Sequence, residues 1–448
     1  MSARRPHLLY VAWGYPPCRG GGVYRALATA NAFARDGWAV TVLTVQREVF
    51  EKYTGVDESL EAHIDPSITI ERIPYTLAAH ETDLTTYSWS RANLPGVWAL
   101  AHRRRETLRF PEHNYGSWRT GLEQAAERIH RRDPVDLVVA TANPHVSFVA
   151  ARRLNRLAGV PYVMDYRDAW LLDVFTGDRL HQPGSRAARW EASLVAKATE
   201  VWFVNEPIRA WHEQLYPAQA DRMHVVANGY DEDLAPDRAL DPPDPDRPLT
   251  FGYIGTVSPK VPLAEFVAGW RLATAQSPDL HDATASVRGY LGYFLTPRHD
   301  IKAVVDDAAD AGVSYDGPVA KTEVRQVYES FDVLLLMLGA GRYVTSGKVY
   351  EYAATGLPIV SVHDPTNAAS DVLRGYPLWF PVSSLDPQEV ATQLTAAARA
   401  AHTADPETRL ACRAFGEQYA RDRQLTPRVS ALRQALAAQG RLPSELAS

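Results

Sequence analysis

The sequence predicts a two-domain α/β protein, each domain a doubly wound, Rossmann-like parallel sheet with helices on both faces. Three observations predict it. Short apolar runs alternate with glycine-stopped helical segments along most of the 448 residues; a polar, proline-rich stretch interrupts that rhythm; and the second alternating series contains a loop, helix, glycine and strand suited to a phosphate.

In chain order, His7 to Ala12 is a short apolar run, followed by a Gly-Pro loop. Val23 to Asp36 has helical spacing, Gly37 stops it, and Ala39 to Val45 is β-branched. The unit recurs with Leu137 to Ala140, the helix His145 to Ala158 stopped by Gly159, Tyr162 to Met164, Val201 to Val204 and His224 to Val226. Asp231 to Pro248 is too polar and proline-rich for a core element. Alternation resumes with Leu249 to Ile254, Leu263 to Ala275, Ala285 to Gly289, Val313 to Tyr315, Glu323 to Ser330 and Val333 to Met337. The expected domains are therefore 1–235, a linker over 236–248, and 249–405. A helical segment over 406–448, interrupted at Thr426-Pro427, is expected to cross back and complete the first domain. The two sheets are expected to face each other across a cleft.

Composition narrows the function. A hydrophobic fraction of 46% and a charged fraction of 22% are those of a globular protein, and a net charge of -6 gives no global attraction to nucleic acid. Cys18 and Cys412, the only cysteines, fit a reducing cytoplasm and make no cysteine-rich metal site. Arg4-Arg5 before Leu8-Leu9-Tyr10-Val11 reads as a first strand, not a signal peptide, because the apolar run is short. No run approaches the roughly 20 residues that span a bilayer, so any membrane contact is expected to be peripheral. The 14 histidines lack paired helical spacing, and no metal site is expected. One segment, Tyr75 to Arg119, carries Tyr87, Trp89, Trp98, Tyr115 and Trp118 with Arg103-Arg104-Arg105 and Arg109. It can shape an acceptor pocket or touch an anionic surface; the favoured reading is a helix pair with buried aromatics and a solvated basic face.

The residues that carry chemistry lie at strand ends. Ser346 and Gly347 suit a helix entrance, where unpaired N–H groups and the dipole attract phosphate, and Lys348 adds a cation. Glu351, one turn on, can accept both hydroxyls of a ribose, while Gly356 ends the helix. Gly255-Thr256-Val257-Ser258-Pro259-Lys260 brings a lysine and two hydroxyls to the same edge of the second domain. Gly20-Gly21-Gly22 after the first strand lets backbone approach a diphosphate or an acceptor. It is neither a P-loop nor a dinucleotide fingerprint, and no acid ends the second strand. Asp165-Tyr166-Arg167-Asp168-Ala169-Trp170 ends a buried strand in acids and an arginine. Asp165 or Asp168 can orient a hydroxyl and Arg167 can hold a phosphate; the same pattern also fits a buried Arg-Asp brace. His145, after Asn143-Pro144, is a candidate acceptor-site group.

Together, Gly20 to Gly22, Phe110-Pro111-Glu112 to Trp118, Asp165 to Trp170, Val225 to Asp231, Gly255 to Lys260 and Ser346 to Pro358 resemble the GT-B glycosyltransferases of family 4. The resemblance covers nearly the whole chain. It implies a GT-B fold, a nucleoside-diphosphate sugar as donor, and sugar transfer with retention and without metal or other cofactor. It places the donor on Gly21, Gly22, Thr256, Lys260, Ser346, Gly347, Lys348 and Glu351, and the acceptor, small or lipid-linked, in the first domain, where His145, Asp165, Arg167 and Asp168 are the candidate catalytic residues. The family's electrostatic stabilisation of the leaving phosphate is the main catalytic effect it implies. The sequence departs from the family pattern at Tyr24, Thr256 and Tyr343, the last where an additional glutamate is common. A nucleotide-sugar epimerase-hydrolase of the same architecture, or a non-catalytic nucleotide-sugar binder, are the rival readings.

Overall fold

The computed structural model describes residues 4–232, 241–244, 247–293, 296–320, 323–339 and 341–442. Most of the expected 236–248 linker therefore lies outside the described residues. The chain forms two compact units: the first runs to Asp173 and adds Asp178–Val226 and the residues from Leu425, and the second comprises Val174–Gly177 and Ala227–Gln424.

The first unit contains, in order, β1 (His7–Val11), α1 (Val23–Arg35), β2 (Ala39–Val45), α2 (Arg47–Tyr53), β3 (Thr69–Ile73), α3 (Trp89–Asn93), α4 (Pro95–Arg109), α5 (Trp118–Arg132), β4 (Leu137–Ala142), α6 (Phe148–Ala158), β5 (Tyr162–Tyr166), α7 (Arg186–Val195), β6 (Glu200–Phe203), α8 (Glu206–Leu215) and β7 (Met223–Val225). Its seven strands are parallel in the order β3-β2-β1-β4-β5-β6-β7. The order reverses between β1 and β4, so the loops after those strands flank the crevice where doubly wound sheets bind ligands. Gly20–Gly22 follows β1, and Asn143–His145 follows β4.

The second unit holds β8 (Thr250–Ile254), α9 (Leu263–Gln276), β9 (Thr284–Arg288), a small hairpin of β10 (Gly292–Tyr293) and β11 (Thr296–Pro297), α10 (His299–Asp306), β12 (Val313–Tyr315), α11 (Val324–Glu329), β13 (Val333–Met337), α12 (Lys348–Thr355), β14 (Ile359–Val362), α13 (Ala368–Leu373), β15 (Trp379–Pro381), α14 (Pro387–Thr403) and α15 (Pro406–Glu417). Its six-stranded parallel sheet has the order β12-β9-β8-β13-β14-β15, with the reversal between β8 and β13. The loops after β8 and β13 are those of Lys260 and Ser346. The run Val333-Leu334-Leu335-Leu336-Met337 is apolar throughout because both faces are covered: Val333, Leu335 and Met337 join one core with Phe266, Trp270 and Leu394, while Leu334 and Leu336 join another with Tyr350, Ala353 and Cys412. Gly356 closes α12 at φ 77° and Gly159 closes α6 at φ 67°, the left-handed geometry that favours glycine.

The carboxy-terminal segment differs from expectation in two ways. The expected 406–448 piece divides, since α15 packs in the second unit, where Gly416 lies so near α12 that a Cβ would meet the Ala353 carbonyl oxygen at 2.4 Å. The helix α16 (Arg421–Ala438) also runs through Pro427 without interruption. Proline removes one backbone donor, but Leu425, Val429, Leu432 and Leu436 form a continuous buried stripe at helical spacing across it, and that packing holds the helix together.

Candidate functional site

In the first unit, the side chains expected at the strand ends are present but do different work. Asp165 is fully buried and receives the Arg25 guanidinium, with Nε at 3.1 and 3.0 Å from its two oxygens and Nη2 at 2.6 Å from Oδ1. Arg25 Nη1 also donates to the Val226 carbonyl at 2.8 Å. Asp165 therefore braces α1 against the end of β5, in line with the buried Arg-Asp brace that the sequence pattern also fits. Arg167 is held by carbonyls instead of acids: Nε donates to Ala142 O and Nη2 to Asn143 O, each at 2.7 Å. Its Nη1 lies where a Cβ on Gly22 would sit, 1.3 Å away, so the glycine at 22 makes room for the guanidinium. A Cβ on Gly21 would meet open space. Asp168 accepts from Asn143 Nδ2 at 2.7 Å through Oδ2.

His145 is buried between acceptors. Nδ1 lies 3.1 Å from Glu112 Oε1 and Nε2 lies 3.2 Å from the Asp168 carbonyl, while the ring stacks on Trp170 at 5.2 Å. Neither partner can donate, so both nitrogens are satisfied only when both carry protons. Burial opposes that charge, but the hydrogen bond and charge of Glu112 outweigh it and raise the His145 pKa above its ordinary value. Glu112 further accepts from the backbone N–H of His145 at 2.9 Å and of Val146 at 2.8 Å. Glu112 thus anchors both the His145 ring and the start of the segment that follows β4.

A group whose pKa is raised by folding stabilises the fold fully below its unfolded pKa, about 6.5 for histidine, and loses that contribution as pH climbs through the folded value. The melting-temperature gap between wild type and His145→Gln should therefore be widest at mildly acidic pH and narrow as pH rises. A gap independent of pH over that window would show that the ring is neutral.

In the second unit, Lys348, Gly255 and Glu351 meet at the entrance of α12. A Cβ on Gly255 would lie 1.7 Å from Lys348 Cε, so the lysine stem crosses directly over this φ 146° glycine, and its Nζ stands 5.2 Å from the Tyr253 ring centre. Gly347 is the residue before the first helical turn, with no side-chain cap bond, and the expected cap from Ser346 is only a long 3.4 Å contact from Lys348 N to its Oγ. Backbone carbonyls take the next N–H groups: Val349 N donates to Ser346 O at 3.2 Å, and Tyr350 N and Glu351 N to Gly347 O at 3.2 and 3.4 Å. Glu351 Oε2 accepts from the Tyr328 hydroxyl at 2.8 Å. Burial and then the Glu351 charge hold the Tyr328 phenol well above its ordinary pKa, so it stays a donor. Thr256 is exposed, and its carbonyl accepts from Tyr253 OH at 3.0 Å.

Lys260 and Ser346 line one small cavity of about 80 Å³ with Ser258, Leu338, Gly339, Val344, Asn367 and Phe175. Lys260 Nζ stands 3.3 Å over the Phe175 ring. Phe175 belongs to the short Val174–Gly177 excursion, and the sequence gives no sign of that placement. A larger cavity of about 460 Å³ adjoins the same loop, lined by Ser258 to Glu265, Arg298 and Asp364 among others. Tyr343 lies against Gly177, where a Cβ would be 3.3 Å from its ring.

Comparison with known proteins gives the geometry its context. Residues 20–229 match the family model of the glycosyl transferase 4-like domain. No curated protein matches the sequence. Among solved structures, a glycosyltransferase from Rickettsia africae superposes with a TM-score of 0.64 at 12% identity, covering 96% of this chain and 99% of that one. Sucrose-phosphate synthase from Thermosynechococcus elongatus gives 0.62 at 14% identity, covering 97% and 100%. HepE of Anabaena in complex with UDP gives 0.63 at 14% identity, covering 95% and 99%. The two parallel sheets are those of the GT-B fold.

Proposed function

We propose that this chain, glycosyl transferase 4-like over residues 20–229, transfers a sugar from a nucleoside diphosphate to an acceptor hydroxyl with retention at the anomeric carbon. The observation that carries the reading is the α12 entrance, where a helix start without a side-chain cap from Gly347, Lys348 and a carboxylate fixed by Tyr328 stand within one helical turn. A diphosphate suits the N–H groups and the cations, and a ribose suits Glu351. HepE, similar in fold, is a protein bound to UDP. In the reaction, the bond from the anomeric carbon to the leaving phosphate oxygen breaks, the acceptor oxygen bonds to that carbon from the same face, and the acceptor proton passes to the leaving phosphate. Lys348, Lys260 and the helix N–H groups stabilise the negative charge that develops. No metal or other cofactor is required by this scheme. The sugar is a hexose, the acceptor small or lipid-linked, and the setting cytoplasmic assembly of an envelope glycan or specialised metabolite.

A thermal-shift screen across uridine, guanosine, thymidine and adenosine diphosphate sugars tests the reading. One nucleotide series should raise the melting temperature by several degrees at saturating ligand. Failure of every series would remove the donor site, whereas release of free sugar from donor alone would replace transfer by hydrolysis.

A further inference from the structure

Large apolar side chains scattered singly over a surface need no explanation, but a cluster of them does. Leu84, Trp89, Leu94, Val97, Leu100 and Leu108 are all strongly exposed, between 47% and 74%, and all fall within one short stretch around α3 and α4. Val97 to Ala101 is apolar around the whole helix circumference rather than along one stripe, and within it only Trp98 is as much as half-buried. Arg103, Arg104 and Arg105 follow one turn later, all exposed, with Arg103 also at the edge of a cavity of about 520 Å³ that Thr107, Glu112 and Trp170 line. The one acid of α4, Glu106, is buried.

This hairpin is built to hold its shape. At its base, Glu106 Oε2 accepts from Ser117 N at 2.7 Å, Arg186 donates to the carbonyls of Thr107 at 2.7 Å and Leu108 at 2.5 Å, and Gly116 approaches so closely that a Cβ would meet the Glu106 carbonyl oxygen at 2.1 Å. Nearer the tip, the Arg91 guanidinium lies 3.7 Å from the Tyr87 ring centre and 4.5 Å from that of Trp98, and Trp98 stacks on His102 at 4.8 Å. The base is fixed while Leu94, Val97 and Leu100 of the apolar turn stay exposed.

We propose that the α3–α4 hairpin docks this protein on an anionic lipid bilayer, the apolar turn entering the acyl boundary and Arg103, Arg104 and Arg105 meeting the headgroups. At 1.5 Å per residue the arginines lie roughly 5–8 Å along the helix from Leu100, so apolar and basic groups adjoin on one helix, the pairing that binds anionic interfaces. Charge complementarity selects the occupant. A second copy related by a two-fold axis would bring one arginine triplet against another, whereas anionic headgroups neutralise it. An apolar surface that runs round the helix also suits a fluid hydrocarbon better than a single protein groove. The proposal is independent of the transferase reading, because binding to vesicles requires neither donor nor turnover.

The full chain should co-sediment with vesicles of phosphatidylcholine mixed with phosphatidylglycerol, weakly with phosphatidylcholine alone, and less as salt is raised. Replacing Arg103, Arg104 and Arg105 together by serine should lower partitioning roughly 100-fold, from about fivefold per arginine. The Val97→Glu, Leu100→Glu double variant should abolish it; all five positions are exposed, so the melting temperature should not change. Protein left in the supernatant with the mixed vesicles, or sedimentation unaffected by both variants, overturns the proposal. So does a dimer in solution that Leu100→Glu dissociates, since the turn would then be a contact between copies.

Discussion

Replacing Arg25 by methionine should destabilise the protein by about 3–5 kcal/mol, because it strands a carboxylate in the interior. Asp165 is fully buried and Arg25 is 4% exposed, so neither has water to fall back on. The guanidinium meets both Asp165 oxygens and the Val226 carbonyl, and its removal leaves Asp165 without that counter-charge. For a unit of this size the loss corresponds to a melting-temperature drop on the order of 10 °C. Breaking a buried pair differs from replacing it: the Arg25→Met, Asp165→Leu double variant should recover most of the loss, and the cycle should show strong non-additivity. Denaturant titration of the four proteins measures it. A single-variant loss below about 1 kcal/mol, within the range of an exposed pair, would mean the pair is not the interior brace described, and would return Asp165 to the candidates for ligand contact.

That example shows why the fold was more legible than the site. Strand and helix identity is written in neighbours: the all-apolar Val333 to Met337 implied a sheet covered on both faces, and Gly159 and Gly356 marked helix ends. Side-chain roles depend on partners far along the chain. Arg25 and Asp165 are 140 positions apart, Glu112 and His145 are 33 apart, and Tyr328 and Glu351 are 23 apart. No local pattern relates them, so the arginine from α1 that meets a strand-end Asp, and the glutamate that meets a strand-end His, become visible only in the fold. Glu112 stood in the sequence only as part of a Phe-Pro-Glu lead-in, and Tyr328 as an ordinary helical tyrosine. The aromatic segment divided in the same way. Tyr75 and Trp118 are buried, as a packed helix pair requires, but Trp89 is exposed. Pro427 shows the converse error, a local breaker overruled by a stripe of packed leucines and valine.

Removing the Glu351 carboxylate should weaken nucleoside-diphosphate binding by about 10- to 100-fold, the range for hydrogen bonds to a charged group at about 1.5–3 kcal/mol. Tyr328 already occupies Oε2 at 2.8 Å and fixes the carboxylate on the first turn of α12, so in the proposed donor site Oε1 is the oxygen offered to a ribose hydroxyl. Glu351→Ala deletes both the acceptor and its anchor point. Tyr328→Phe keeps the carboxylate and removes only its tether, so its effect should be smaller, about fivefold, comparable to one ordinary hydrogen bond. Loss of affinity alone would not separate a ribose contact from a disturbed helix entrance. Titration calorimetry with ribo- and 2′-deoxyribo-nucleoside diphosphates of the preferred base does so, because the two sugars differ by one hydroxyl and leave the diphosphate unchanged. If Glu351 receives that hydroxyl, the wild type should prefer the ribonucleotide and Glu351→Ala should bind the two equally, the coupling vanishing with the carboxylate. An alanine variant that still discriminates between them would place the pentose on another group, and full retention of affinity would remove the nucleotide from α12 altogether.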